Sequence, residues 1–232
     1  MKSESLAEIF NSAQIKFEET ASHKCFYTFN SEDSQNEGRR SFGELKFFNN
    51  VFLAPLESIT YKHEENTRII ILPIAGALNY HTEIYEEELV RSEQIKIIEI
   101  EKELPYTFNN PFEKEWINYL HIGLKVNSFP SKQQSALRNI EFRKMDELVC
   151  FDSNSADQST GYIGIYQGRS EDNYMLKNPN NGVFVYVISG AFEVQGRLLE
   201  YKDGLSLWNT NEIEFEALSN NAIILILEIK LN

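Results

Sequence analysis

The sequence predicts an all-β protein with two β-barrel domains in tandem, and three observations lead to this prediction. Stretches rich in β-branched and aromatic residues recur along the 232-residue chain, bounded by turn-forming or charged residues. Between residues 40 and 125, no stretch of about 12 residues carries an apolar stripe with helical period. A strand–glycine–strand pattern also occurs twice, about half a chain length apart, which is typical of a duplicated domain.

The predicted strands are spread over both halves of the chain. In the first half they are residues 43–54, 67–78, 93–101 and 116–124. In the second half they are residues 161–168, 182–196, 204–209, 211–218 and 222–229. Short helices are expected only at 4–12 and 131–139.

The internal repeat is clearest at two glycines. The segment "IIILPIAGAL" contains Gly76 and "VFVYVISGAF" contains Gly190, so the two copies lie 114 residues apart. Glycine suits both positions because a tight hairpin often requires a positive φ. The repeat predicts an N-terminal domain with an extension at 1–125, a surface linker at 126–160 and a C-terminal domain at 161–232.

Composition limits the possible function classes. The hydrophobic content of 42% suffices for packed cores, and the formal net charge is −13. Such an acidic surface repels phosphate groups, so neither nucleic acid nor a membrane is an expected partner. Cys25 and Cys150 lie far apart in sequence, and we expect two reduced, buried thiols. Because no signal peptide and no membrane-spanning run is recognised, the sequence predicts a cytoplasmic protein.

The order of these motifs resembles the pirin-like bicupins, a family related to bacterial quercetin 2,3-dioxygenases. The similarity rests on a "TF" block, an "FGxL" strand and an asparagine turn in the first half, and on a second glycine and a "DG…W" stretch in the second half. The residues concerned are Thr28, Phe29, Phe42, Gly43, Leu45, Asn49, Gly196, Asp203, Gly204 and Trp208. The resemblance implies two cupin barrels, each a jelly roll or double-stranded β-helix.

The resemblance also implies a metal site. The family's ligands are two histidines of an H-x-H segment, and a histidine and a glutamate of a later H-x-E-x-N segment. Counted back from the first repeat glycine, the H-x-H positions fall on Lys62 and Glu64. The later motif falls on "PYTFN", which places Pro105 and Thr107 at ligand positions and retains Asn109. Proline offers no donor and a protonated lysine repels a metal ion, so no cofactor is expected.

Two interpretations of the segment around residue 63 remain open. Lys62, Glu64 and Arg68 could form a salt-linked cluster that binds an anionic small molecule, assisted by Tyr106. Alternatively, these charges face solvent, where ion pairs contribute only about 0–1 kcal/mol. The candidate pocket residues are Lys62, Glu64, Arg68, Tyr80, Tyr106 and Thr107.

If the protein does bind a metal ion, residues outside the family's motif positions must coordinate it. Strand alternation is expected to turn His63 away from the face that carries residues 62 and 64. The fallback ligands are His63, Glu64 and His81, for a single divalent iron, nickel, copper or zinc ion. His121 is expected to be an ordinary surface or core histidine, and Trp116 a core or interface residue.

Three functions remain open at this point. The sequence favours a pirin-like bicupin that has lost its metal site and that binds a small molecule or regulates a partner. A quercetin 2,3-dioxygenase-like oxygenase with ligands outside the family pattern is the alternative, so enzymatic activity stays open. A scaffold or transcription-cofactor role is the third, and only the resemblance to pirin implies it. Tyr61, Tyr80 and Phe108 could also fill the N-terminal barrel, so the sequence leaves open whether it is plugged.

Overall fold

A computed structural model gives the structure of the chain. It describes residues 6–29, 39–83, 87–127, 135–141, 144–154 and 159–231. All regular secondary structure in these residues is β-strand, as the predicted fold class requires. In the same residues, no helix is long and apolar enough to cross a membrane.

The described residues form a series of short strands, which we number along the chain. They are β1 (Leu6–Phe10), β2 (Lys16–Glu19), β3 (His23–Tyr27), β4 (Leu45–Leu53), β5 (Ser58–Tyr61), β6 (Thr67–Ala75), β7 (Ala77–Thr82), β8 (Glu88–Arg91), β9 (Gln94–Ile100), β10 (Tyr106–Asn109), β11 (Ile117–Lys125), β12 (Ser135–Asn139), β13 (Glu147–Asn154), β14 (Ser159–Tyr166), β15 (Glu171–Met175), β16 (Gly182–Ser189), β17 (Phe192–Val194), β18 (Arg197–Leu199), β19 (Gly204–Trp208), β20 (Glu212–Ala217) and β21 (Ala222–Ile229).

The chain divides into two compact units. The N-terminal unit comprises Lys16–Ser41 and Leu45–Ile140, and the C-terminal unit comprises Met1–Ile15, Phe42–Glu44 and Glu141–Asn232. The N-terminal unit contains a seven-stranded sheet, β12-β9-β6-β11-β4-β3-β2, and a four-stranded sheet, β5-β10-β7-β8. The C-terminal unit contains a six-stranded sheet, β1-β19-β16-β21-β14-β13, and a four-stranded sheet, β15-β20-β17-β18.

The two units repeat one topology. The order β9-β6-β11-β4 of the first unit returns as β19-β16-β21-β14 in the second, and β5-β10-β7-β8 returns as β15-β20-β17-β18. The hairpin glycines have the left-handed backbone that their sequence context predicts, with φ of +81° at Gly76 and +76° at Gly190. Each unit is therefore a cupin barrel, and the chain is a bicupin.

The interior of each barrel follows from strand alternation. In the N-terminal unit, Ile69 and Ile71 of β6 belong to one buried cluster with Tyr106 and Phe108 of β10 and Tyr119 of β11. Because side chains alternate along a strand, the residues between these positions face the other side of their sheets. This rule decides which side chains can reach a site inside the barrel.

Three edge strands lie in segments for which short helices or a linker were expected. β1, expected as a helix in an N-terminal extension, pairs antiparallel with β19 of the C-terminal unit. The expected linker at 126–160 contains β12, which pairs with β9, and β13, which pairs with β14. The expected helix at 131–139 is the strand β12 where it is described, and residues 131–134 lie outside the described residues. Pairing with an open sheet edge outweighs the weak local helical pattern at both places.

Two expectations about burial also need correction. Cys25 is buried, and this burial raises the pKa of its thiol to about 12, but Cys150 is exposed. Cys150 lies on the edge strand β13, next to a register shift between Cys150 and Asp152. Trp116 is 41% exposed, because it precedes β11 in a loop and lies outside the barrel core.

Candidate functional site

The candidate site lies inside the N-terminal barrel, where β5 ends. Tyr61 packs against the buried cluster, and its ring centroid lies 5.5 Å from that of Tyr106. Lys62 and Glu64 are exposed, whereas His63 is half-buried. His63 and Lys62 therefore do alternate as expected, but the inward face carries residues 61 and 63.

The strand β10, which is the neighbour of β5 in the four-stranded sheet, supplies further inward side chains. Tyr106 and Phe108 are fully buried in the core cluster, and Tyr61 pairs with Tyr106 across the β5–β10 ladder. Thr107 faces outwards, where its hydroxyl lies 2.9 Å from the hydroxyl of Thr60. The inward positions of this strand are thus 106 and 108.

The spacing of the family motifs fits these inward faces. An H-x-H spacing falls on Tyr61 and His63, and an H-x-E-x-N spacing falls on Tyr106, Phe108 and Asn110. Asn110 is buried, and its side-chain nitrogen lies 2.8 Å from the carbonyl oxygen of the loop residue 115. Both frames differ by one residue from the count along the sequence, backwards at the end of β5 and forwards at β10.

A chain of hydrogen bonds crosses the site. The hydroxyl oxygen of Tyr106 lies 2.6 Å from Nε2 of His63 and 2.7 Å from Nε2 of His121. His121 comes from β11, on the same face as Tyr119. One phenol therefore bridges two imidazole rings, one from β11 and one from the segment that follows β5.

The proton positions along these hydrogen bonds follow from which ring nitrogens have a hydrogen-bond partner. Nδ1 of His121 is buried and has no hydrogen-bond partner. A buried N–H without an acceptor costs more than an unpaired lone pair, so we place the proton of His121 on Nε2. His121 then donates to Tyr106, and Tyr106 donates to His63.

Burial keeps all three groups uncharged near neutral pH. It lowers the pKa of His63 to about 4 and holds the pKa of His121 well below its usual range, with His63 contributing further at His121. Burial also holds the pKa of Tyr106 well above its usual range. The site therefore offers stacking surfaces and neutral hydrogen bonds rather than charge.

Aromatic rings fill the space around the two histidines. The ring of Phe47 stacks on His63 with centroids 4.8 Å apart and lies 4.7 Å from His121. Tyr61 lies 4.3 Å from His121, and a Cβ at Gly123 would lie 2.0 Å from the Phe47 ring. Gly123 thus leaves room for Phe47 to occupy the barrel interior beside His121.

The structure does not bring the charged pocket candidates together. Lys62 forms an ion pair with Glu103, and both side chains are 55% exposed. Arg68 is buried on the face of β6 that points away from the Ile69 side. There its Nη2 lies 3.3 Å from Oε1 of Glu99. The structure does not form the anionic-ligand cluster of residues 62, 64 and 68, because residues 62 and 64 lie exposed in the turn between β5 and β6, whereas residue 68 is buried on β6.

The remaining candidates divide between the two faces. Tyr80 is fully buried, and its ring lies 6.2 Å from that of Phe108. His81 follows Tyr80 on β7 and therefore lies on the outer face, where it pairs with Thr107. The fallback ligands His63, Glu64 and His81 do not converge.

The donor set at the site does not fit the family's four-ligand metal centre. The inward motif positions supply one imidazole, two phenols and one phenyl ring, and only His121 adds a second imidazole. Across the described ranges, no three His, Cys, Asp or Glu side chains are grouped so that they could hold a metal ion. Metal centres of this type need several imidazole or carboxylate donors directed at one point.

Two important site residues, His121 and Phe47, were not among the sequence candidates. The signal for His121 is its two-residue spacing from Tyr119 and Ile117, which predicts a common face of β11. Phe47 carries a similar signal, its even spacing from Val51 and Leu53 on β4, but its place beside His121 also depends on the missing side chain of Gly123, its partner in the β4–β11 ladder.

Comparison with known proteins agrees with this architecture. Residues 156–229 match a family model described as the quercetinase C-terminal cupin domain. Comparison with curated protein sequences gives no significant match. The C-terminal unit therefore contains a quercetinase-type cupin.

Several solved structures share the fold of the whole chain. Escherichia coli YhhW superposes with a TM-score of 0.86 at 13% identity, covering 98% of this chain and 99% of its own. A second structure, described as bacterial pirin YhhW from Escherichia coli with nickel(II), gives 0.84 at 13% identity and covers 98% and 100%. Quercetin 2,3-dioxygenase from Acinetobacter baumannii gives 0.73 at 13% identity and covers 97% and 79%. The chain therefore has the bicupin fold of these proteins.

Proposed function

We propose that this protein is a pirin-like bicupin that has lost its metal site and acts as a small-molecule-binding or regulatory protein. The observation that carries the proposal is the identity of the inward motif residues. Tyr61, Tyr106 and Phe108 take three of the four ligand positions, and Tyr106 bonds to both nearby imidazoles. A phenol with a raised pKa is a poor substitute for a histidine or a carboxylate.

The small molecule that this site would accept follows from the same chemistry. Phe47, Tyr61 and His63 are half-buried, so their rings are the part of the site that solvent can reach. His63 is uncharged near neutral pH, because burial lowers its pKa to about 4. These features favour a neutral, planar ligand that stacks on rings over the anionic ligand considered from the sequence.

Metal content tests the proposal directly. Purified protein is analysed by plasma mass spectrometry before and after incubation with Fe²⁺, Ni²⁺, Cu²⁺ and Zn²⁺. We expect far less than one metal ion per chain in every case. A stoichiometric ion would contradict the proposal.

A ligand-restoring variant shows whether the inward frame is right. Tyr61→His, Tyr106→His and Phe108→Glu together rebuild the family pattern around His63, and we expect this variant to bind Ni²⁺. The matched control places the same residue types on the sequence-derived frame, as Lys62→His, Pro105→His and Thr107→Glu. Because Phe108 is fully buried, the variant without Phe108→Glu is measured as well. Nickel binding by the control alone would show that the frame is wrong.

The second candidate function is a quercetin 2,3-dioxygenase-like oxygenase. It is favoured by the convergence of His63 and His121, whose Nε2 atoms both lie within 2.7 Å of one oxygen. It requires a metal to be held by two imidazoles without the family's carboxylate. Depletion of quercetin by metal-loaded protein, and not by the His121→Phe variant, would replace the first proposal with this one.

A further inference from the structure

A second feature of the N-terminal unit lies outside the barrel interior. Three large apolar side chains are exposed on two neighbouring loops: Leu56 by 67%, Trp116 by 41% and Phe112 by 36%. We call these three residues the loop patch. The backbone N–H of Leu56 donates to the carbonyl oxygen of Phe112 at 3.1 Å, so the two loops are in direct contact.

A buried asparagine fixes the geometry of these loops. The side-chain nitrogen of Asn110 lies 3.0 Å from the carbonyl oxygen of Ala54 and 2.8 Å from that of Glu115. Its backbone N–H donates to the carbonyl oxygen of Glu57 at 2.9 Å. The loop patch is therefore held by the scaffold and does not depend on a partner for its shape.

The backbone at Leu56 is unfavourable for folding alone. Its φ is +59°, a left-handed conformation that leucine rarely adopts. This conformation adds no apolar contacts to the core, because the side chain of Leu56 is largely exposed. The strained backbone therefore holds an apolar side chain towards solvent.

The charges around the loop patch indicate the kind of partner. Glu57, Glu113 and Glu115 are exposed on the same two loops, and none of them forms an ion pair with another described residue. Lys114 is the single cation of these loops, and the ammonium of Lys24 on β3, which is paired with Glu19, lies 5.6 Å from the ring centroid of Trp116. An apolar centre containing a tryptophan, with a carboxylate rim, complements apolar side chains flanked by lysine or arginine.

We propose that the loop patch is a docking site for a protein segment that combines apolar side chains with lysine or arginine. Leu56, Phe112 and Trp116 form the apolar centre, and the carboxylates of residues 57, 113 and 115 form the rim. The patch lies on outer loops, so this proposal does not rest on the state of the barrel interior.

The test uses the full chain and a synthetic amphipathic peptide of about 14 residues made of leucine and lysine. The Trp208→Phe background leaves Trp116 as the sole tryptophan, so its fluorescence reports on the patch. We expect the peptide to shift the emission of Trp116 to shorter wavelength. A matched peptide with glutamate in place of lysine should leave the emission unchanged.

Variants locate the peptide on the surface. Leu56→Asn removes the apolar side chain but suits the positive φ, so the thermal midpoint should not fall while the affinity falls at least about tenfold. Leu198→Asn is the matched control, because it removes a similarly exposed leucine from the C-terminal unit and should leave the affinity unchanged. Replacing the three rim glutamates with glutamine should weaken binding most at low salt.

Three results would overturn the proposal. The first is an unchanged Trp116 emission with the lysine peptide. The second is equal affinity of Leu56→Asn and Leu198→Asn. The third is an emission shift that depends on protein concentration without peptide, which would assign the patch to a second copy of the chain.

Discussion

At the residue scale, the hydroxyl of Tyr106 organises the candidate site. It lies within 2.7 Å of Nε2 of both His63 and His121, so one phenol satisfies two imidazoles that would otherwise lack a partner at those atoms. The convergence of these side chains thus forms a neutral hydrogen-bonded chain.

The titration of His63 gives a prediction at this scale. Burial lowers its pKa to about 4 in the folded protein, from about 6.5 for an unperturbed histidine. As pH falls from about 6.5 towards 4, the unfolded state binds a proton that the folded state does not, so the free energy of unfolding falls. We expect urea unfolding curves of His63→Gln to show a weaker loss of stability over this interval than wild type.

A control separates this effect from the titration of the many carboxylates. Thr60→Ala changes a non-titrating side chain in the strand that precedes His63, and it should retain the pH slope of wild type. Equal slopes for wild type and His63→Gln would mean that His63 takes up its proton without unfolding.

At the element scale, two hairpins of the C-terminal barrel depend on glycines for two different reasons. Gly190 has a φ of +76°, and a Cβ there would lie 2.3 Å from Oγ of Ser219 and 2.9 Å from Cβ of Ala222. Gly196, in the β17–β18 turn, has a φ of +71°, but a Cβ there would have no neighbour within 4 Å. Comparison of Gly190 with Gly196 therefore distinguishes the cost of backbone strain from the cost of steric overlap.

Alanine substitutions at these glycines should differ in cost. Gly196→Ala is expected to lower the free energy of unfolding by about 1–2 kcal/mol, because only the left-handed backbone is strained. Gly190→Ala should lower it further, because the new methyl group also overlaps its neighbours. Urea unfolding of both variants checks this, and equal losses would show that the β16–β17 hairpin relaxes to accommodate the methyl group.

At the scale of the whole molecule, the first strand of the chain belongs to the C-terminal unit. β1 pairs along its length with β19, and the N–H of Ser12 donates to a carboxylate oxygen of Asp203 at 2.7 Å. In the N-terminal unit, β12 occupies the equivalent edge beside β9. The topological repeat is therefore complete only when the start of the chain joins the second barrel.

Removal of the first strand should loosen one unit selectively. Deletion of residues 1–10 leaves β19 as an open sheet edge, so the amides of β19 and β16 should exchange faster with solvent. The amides of β6 and β9 in the N-terminal unit should keep their protection. Hydrogen-exchange mass spectrometry measures both, with Leu6→Asn, an exposed position on β1, as the control. Loss of protection confined to β6 and β9 would contradict the division of the chain.

The sequence by itself determined the fold class and much of the strand pattern. Runs of β-branched and aromatic residues, bounded by turn formers, predict the central strands of both barrels, including β6, β11, β16 and β21. The two hairpin glycines predict the duplication, because their backbone requirement is local. These features could be read without the structure since they depend on a few neighbouring residues.

Tertiary structure decided which side chains share the site. The inward side chains are those of residues 61 and 63 rather than 62 and 64, and those of residues 106 and 108 rather than 105 and 107, so each predicted assignment changes face. The positions of His121 and Phe47 depend on pairing between strands that are distant in sequence. Likewise, β1 and β12 become strands through pairing with sheet edges formed elsewhere in the chain. Sequence patterns fix local geometry, but contacts between distant segments fix register, and register determines the chemistry of the barrel interior.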